Sequence, residues 1–126
     1  MDRICDFSLV RDGAFHLSPG DSRSFEFNLN NDAHTGSGGV LVFRMHAHSG
    51  PQNLGFRVSI NGDSVFSYPF GINIEDCQTV NEILGSGVLK AGGVNVPNPN
   101  RIEFTATGTG GRMTISDVAV FFQRDI

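Results

Sequence analysis

His46 and His48 stand two residues apart in a segment where apolar and polar residues alternate. On an extended chain both imidazoles therefore leave the same face, with Arg44 beside them. Two imidazoles at that spacing can ligate one transition metal, and His34 or Asp32 in the preceding loop can add a third donor. Without a metal the same residues form an outward-facing, hydrogen-bonding surface, which is the simpler reading. Glu26 and Glu103 offer a second chemistry, since glycoside hydrolysis needs two carboxyl groups roughly 5 to 10 Å apart. Nothing in a linear sequence sets that separation, and surface carboxylates are the default for such positions. Ser and Thr are abundant, but there is no Gly-x-Ser-x-Gly elbow and neither Cys5 nor Cys77 lies in a catalytic signature. Gly108-Thr109-Gly110-Gly111 lacks a following helix whose amides would hold a phosphate. The expectation is a chain without catalytic activity.

The elements that carry these residues are extended. The chain has 126 residues, enough for a single domain over 1–126. Its 11 Phe exclude disorder, and its 16 Gly, nearly twice the average share of about 7%, point away from a helical bundle. Phe25, Phe27 and Leu29 alternate with polar residues. From Gly38 to His48, Leu41, Phe43, Met45 and Ala47 make a core face, while Val40, Val42, Arg44, His46 and His48 look the other way. Phe56, Val58 and Ile60 lead into Asn61-Gly62-Asp63, a tight-turn sequence, and Val65 to Phe70 returns as a hairpin arm. Between Asp76 and Leu84 the spacing of Val80, Ile83 and Leu84 predicts a short helix capped by Asp76 and ended by Gly85. Ile102, Phe104 and Ala106 form another strand. Apolar parity then slips by one between Ile115 and Val118, which places a β-bulge near Ser116-Asp117. With Phe7 to Val10 and Ala14 to Leu17 included, the count is eight or nine strands and one short helical turn. So many half-apolar strands need a second sheet to cover them, giving an all-β antiparallel β-sandwich.

Several pieces carry a resemblance: Phe56-Arg57-Val58-Ser59-Ile60-Asn61-Gly62, Val65-Phe66, Gly87-Val88-Leu89-Lys90-Ala91-Gly92, Asn100-Arg101-Ile102-Glu103-Phe104, Gly110-Gly111 and Ile115-Ser116-Asp117-Val118. Together they are similar to the jelly-roll domains of the galactose-binding-like superfamily. There a strand ending in Asn-Gly precedes a Gly-containing turn, an Asn-x-Ile-x-Phe strand and a closing Ile-x-Asp-Val strand. The resemblance implies a jelly-roll fold and carbohydrate binding through a polar sheet face or end loops. On this chain the matching ligand-binding set is Arg44, His46, His48, Arg57 and His34, with Ser59, Asp32, Asn73 and Glu75 as further contacts. It also implies a structural calcium ion held by Asp117, with Asp12 or Asp21 supplying further oxygen ligands. The absence of Trp and the single Tyr, Tyr68, make the usual sugar-stacking platform scarce. The cupin family is a poorer comparison. Gly39 is one residue too far from His46, Gln52 stands where an acidic ligand belongs, and Ile74 replaces the His expected after Pro69-Phe70-Gly71.

A net charge of −4 with one Lys, Lys90, argues against a nucleic-acid partner. The polar start of the chain has no leader-like apolar run, and no segment approaches the roughly 18 apolar residues of a membrane helix, so no membrane partner and a cytoplasmic location are the default expectations. Cys5 and Cys77 read as reduced structural thiols rather than a disulfide or half of a zinc site. Three functions follow in order: a non-catalytic carbohydrate-binding module, an assembly protein forming a homo-oligomer through Val40, Val42, Ala119 and Phe121, and a cupin-like metal enzyme using His46 and His48.

Overall fold

Leu41, Phe43 and Met45 on one strand, and Phe56, Val58 and Ile60 on the next, are all buried. These two alternations belong to different layers. The computed structural model describes residues 3–47, 53–68, 78–92 and 99–125. Its strands are β1 (Arg3–Leu17), β2 (Ser22–Phe27), β3 (Gly39–Ala47), β4 (Asn53–Ile60), β5 (Asp63–Tyr68), β6 (Gln78–Leu84), β7 (Asn100–Gly110) and β8 (Met113–Asp125). They form two four-stranded antiparallel sheets, sheet A in the order β1-β8-β3-β6 and sheet B in the order β2-β7-β4-β5. The chain changes sheet at every connection except the β4–β5 hairpin, which is the jelly-roll path. Among the described residues, no helix is long and apolar enough to cross a membrane.

Phe43 sits at the middle of the interlayer space, with the rings of Phe56, Phe66 and Phe104 at 6.1, 5.9 and 5.6 Å, each nearly perpendicular to it. Edge-to-face pairs of this kind add roughly 0.5 to 1.5 kcal/mol each beyond the area they bury. Tyr68 stacks on Phe56 with centroids 6.5 Å apart, so its ring belongs to the core margin rather than to a sugar platform.

The hairpin and the bulge stand where alternation put them. Asn61 and Gly62 both have positive φ, 52° and 86°, as the two-residue turn requires. On β8, Val42 faces Ala119 and Arg44 faces Ser116, so Asp117 and Val118 together oppose Phe43. Asp117 takes φ 54°, a left-handed conformation that its short polar side chain tolerates.

The helix expected over Asp76–Leu84 is a correction. Residues 78 to 84 are strand β6, paired with β3 from Gly39–Leu84 to Met45–Gln78. Val80 and Leu84 turn inward and Ile83 outward, so a spacing that suits a helical face also suits a strand. The free edge of β3 supplies hydrogen bonds along the whole segment, and Thr79, Val80 and Ile83 are β-branched. The helical turn among the described residues is a 3-10 turn at Thr35–Ser37. Asp76, Cys77 and the expected strand at 94–96 lie outside the described residues.

Asn100 is the polar residue buried in this core. Its Oδ1 accepts from Asn61 Nδ2 at 2.9 Å and from the Lys90 amide at 2.8 Å, and its Nδ2 donates to the Lys90 carbonyl at 2.7 Å. Asn61 completes the arrangement by donating to the Val88 carbonyl and accepting from the Arg101 amide. One carboxamide therefore ties the 85–92 loop to the hairpin and to the start of β7. Replacing Asn100 with Ala strands several of these groups, and urea denaturation should show a loss of about 3 kcal/mol. A loss under about 0.5 kcal/mol would mean the loop is held some other way.

Candidate functional site

The residues singled out from the sequence do not converge. Arg44 and His46 leave the outer face of sheet A, on β3, where Arg44 faces Ser116 and Thr79 and His46 faces Thr114. Arg57 is on β4 and leaves the outer face of sheet B, between Thr105 and Ser67. The hydrophobic core separates the two faces, so grouping Arg57 with Arg44 and His46 is corrected. Successive strands here alternate sheets, and a parity argument made within each strand does not carry that information. His48 lies outside the described residues, as do Asn73 and Glu75. The histidine that does join His46 is His16 on β1, whose Nδ1 is 2.8 Å from Thr114 Oγ1. It was missed because sequence separation hides a partner 98 residues from its neighbour.

His34 is in the loop before β3, toward the opposite end of sheet A from His46, where its amide donates to the Gln123 carbonyl at 2.7 Å. Its Nε2 lies 2.9 Å from Arg3 Nη2 and its Nδ1 2.5 Å from Ser37 Oγ. A guanidinium can only donate, so Nε2 accepts and, in the neutral ring, Nδ1 carries the proton toward Ser37. Asp32, in the same loop, accepts from Arg124 Nε and Nη2 at 3.0 and 2.9 Å, and Arg124 Nη1 donates to Asp6 at 3.1 Å. These contacts fasten the loop to both chain ends and engage both residues expected to complete a metal site with His46. Among the described residues no three His, Cys, Asp or Glu side chains are grouped to hold a metal ion. Asp117 is exposed at its bulge, and Asp21 accepts from the Ser18 amide at 2.9 Å, so each has a backbone role. Cys5 is a free thiol at the surface.

Glu26 and Glu103 do share a face. Glu26 pairs with Arg101, and Glu103 with Ser24, on the outside of sheet B. Arg101 Nη2 lies 4.0 Å from Glu103 and donates to Ser24, which donates in turn to Glu103 at 3.2 Å. A polar hollow of about 240 Å³ adjoins them, lined by Ser59, Asn61, Gly62, Arg101 and Glu103. Both carboxylates stand on the solvent side of the sheet beside the Arg101 guanidinium.

The largest continuous feature is apolar. Across sheet A the register aligns Phe7, Phe121, Val40 and Ile83 in one outward row and Leu9, Ala119, Val42 and Asn81 in the next. Phe7, Leu9, Ile83 and Phe121 are 58, 54, 83 and 42% exposed. The Phe7 and Phe121 rings lie 5.6 Å apart, tilted by 34°. At the end of the rows a hollow of about 330 Å³ opens between Cys5, Gly38, Val40, Ile83, Phe121 and Gln123. Gly38 is required there: it has φ 71°, and a Cβ on it would fall 2.1 Å from the Leu84 carbonyl oxygen. Val40, Val42, Ala119 and Phe121 were legible by parity. Phe7 and Leu9 were hidden because β1 has its own bulges, between Leu9 and Ala14, and Ile83 because its segment read as a helix.

No family model and no curated protein matches this chain. Among solved structures it is similar to part of latent PorU from Porphyromonas gingivalis, with a TM-score of 0.70 and 16% identity, over 99% of this chain and 13% of that one. It is similar to part of BpGH86A, a β-porphyranase of glycoside hydrolase family 86 from Bacteroides plebeius, with a TM-score of 0.60 and 19% identity, over 97% of this chain and 21% of that one. A third is BuGH86 in complex with neoagarooctaose, with a TM-score of 0.57 and 16% identity over 98% of this chain. The chain thus spans about a fifth or less of the structures it matches. At these identities the likeness is one of fold, an all-β sandwich.

The Arg124 hydrogen bonds hold Asp32 below the usual carboxylate range. A carboxyl whose pKa falls on folding stabilises the fold above its unfolded value, near 3.8, and loses that contribution as pH drops through the folded value. Asp32→Asn should therefore lower the urea midpoint at pH 7 and converge on wild type near pH 2. Equal stability at both pH values would show that the Asp32–Arg124 pair contributes nothing.

Proposed function

We propose that this chain is a non-catalytic binding module whose working surface is the outer face of sheet A, and that the surface docks a second copy of the chain. The observation that carries this is the Phe7–Phe121–Val40–Ile83 row across all four strands of one sheet, exposed on β1, β8 and β6 and half-buried at Val40 on β3. Contiguous apolar patches of several hundred Å² on a folded domain mark interaction sites. Four strands about 4.8 Å apart and some eight residues along give a face of about 500 Å² in projection, and more in accessible area, close to the roughly 800 Å² per partner of a stable complex. Two copies of one twisted sheet have the same size and twist, and a twofold axis sets apolar centre on apolar centre. Arg3, Gln123 and Ser37 at one end and Arg44, Ser116 and Thr79 at the other supply a polar rim.

A carbohydrate ligand is the second reading, favoured by the Phe7–Phe121 pair, which offers two adjacent exposed rings to a sugar face. The fold likeness to parts of a β-porphyranase and of an enzyme bound to neoagarooctaose, and the galactose-binding-like motif pieces, support it in the same direction. Aliphatic Ile83, Leu9, Val40 and Val42 around the rings offer a sugar no hydrogen bonds, which is why the protein partner ranks first.

Sedimentation equilibrium should give a dimer at tens of micromolar, converted to monomer by Ile83→Lys with Phe121→Lys, whose side chains face out and leave the core intact. A strict monomer at millimolar concentration overturns self-docking. Amide NMR titration with neoagarooctaose then separates the second reading: saturable shifts at Cys5, Phe7, Val40 and Phe121 support it, and none by about 10 mM removes it.

A further inference from the structure

Where the edge of sheet A (β1) meets the edge of sheet B (β2), two arginines stand at inward positions. Arg11 pairs with Val118 and Arg23 with Phe104, and both partners are fully buried. Arg11 Cζ lies 5.5 Å from the Phe25 ring centroid. Arg23 Cζ is 5.8 Å from the same ring and 5.5 Å from Phe15. Measured to one shared ring, the two guanidinium carbons are thus at most about 11 Å apart. Phe15, Phe25 and Phe104 touch one another at 5.1, 5.3 and 6.5 Å, so both cations rest on an aromatic floor continuous with the core.

Arg3, Arg101 and Arg124 each have a carboxylate within 4.0 Å. Arg11 and Arg23 have none among the described residues, although Asp12 and Asp21 are close in sequence. Arg11 Nε is shielded from solvent with no acceptor. A cation–π contact offsets part of the cost of drawing a guanidinium out of water, but it satisfies no N–H. Two guanidinium groups that rest on one aromatic ring, Arg11 half-buried and Arg23 exposed, without a carboxylate among the described residues, offer planar forks of the kind that takes an oxyanion bidentately.

We infer that Arg11 and Arg23 form a clamp for an oxyanion group, a sulfate or a carboxylate, seated on the Phe15–Phe25 floor at the β1–β2 seam. This site lies away from the apolar rows on the outer face of sheet A, so it stands or falls independently of docking. The competing account is that inward charges on edge strands merely discourage edge-to-edge pairing.

The test is NMR of the arginine Nε–Hε signals and, so that the variants can be read as well, of the Phe15 and Phe25 backbone amides, during titration with sodium sulfate, and separately sodium acetate, against sodium chloride at matched ionic strength. Saturable shifts of Arg11 and Arg23, with Arg57 unmoved, support the clamp, and the stronger of the two salts identifies the group. Arg11→Met with Arg23→Met keeps a flexible apolar cover over Phe25 and should abolish saturation. If that variant fails to fold, Arg11→Lys with Arg23→Lys keeps the charge without the fork and should weaken binding at least tenfold. Shifts that are linear, shared with Arg57, or unchanged in the Lys variant mean an adventitious ion only and overturn the inference. So does self-association of either variant with no saturable anion effect in the wild-type protein.

Discussion

A β-strand gives each residue one of two faces, and it can exchange them only by inserting a residue. Strand β8 does this at Asp117. It is an inner strand of sheet A, paired with β1 on one side and β3 on the other, so a change of face within it must be accommodated by both neighbours. β3 places Phe43 opposite the extra residue, and β1 supplies Asp12-Gly13, with Gly13 at φ 87°. Met113 and Ile115 face the core before the bulge, and Val118, Val120 and Phe122 face it after. The same step sends Ala119 and Phe121 outward. The apolar rows on the outer face exist because the backbone changes hand there.

Asn100 plays the complementary part on the other layer. A buried carboxamide is costly unless its groups are paired, and here Asn100 bonds Asn61 of the hairpin turn and both backbone groups of Lys90, while Asn61 extends the set to the Val88 carbonyl and the Arg101 amide. These are the pieces that made the sequence resemble galactose-binding-like jelly rolls. Asn61-Gly62, Val88-Leu89-Lys90 and Asn100-Arg101-Ile102 are scattered along the chain yet meet at one set of hydrogen bonds. The motif therefore speaks to how the fold closes, and it is silent about what the fold binds.

That division explains what could be read in advance. Alternation within β3, β4 and β7 identified the inward residues, because burial acts on every second side chain and leaves a local trace. The bulge was legible because a parity slip is local too. Strand β6 was not, since Val80 and Leu84, four residues apart, share a face at either period, and the edge of β3 decides between them. The proposed site residues fared worst. Arg44 and Arg57 carry the same outward signature, but which sheet a strand joins is set by pairing across long separations, as are the contacts of His16 with Thr114 and of His34 with Arg3. Nothing local singled out Arg11 and Arg23, because their contacts with one Phe25 ring depend on how two edge strands meet.

The exposed rows on sheet A pose an energetic question with a quantitative answer. Some 400 Å² of apolar surface on each of two faces, taken at about 25 cal/mol per Å², is worth about 20 kcal/mol when covered. Association costs roughly 4 to 15 kcal/mol in lost freedom, and ordering of rim side chains adds to that. What remains before the rim is ordered, about 5 to 16 kcal/mol, is enough for association, and its size is set by how much freedom the two copies and their rim side chains lose. In the proposed self-association the apolar rows would supply adhesion and the rim would decide which surface fits: Arg3 is already committed to His34 and Asp125, whereas the exposed Arg44 pairs with no carboxylate among the described residues and is open to one from a second copy. Asp117, exposed two strand positions from Ala119 and next to Arg44's partner Ser116, is the carboxylate of this face placed to provide it.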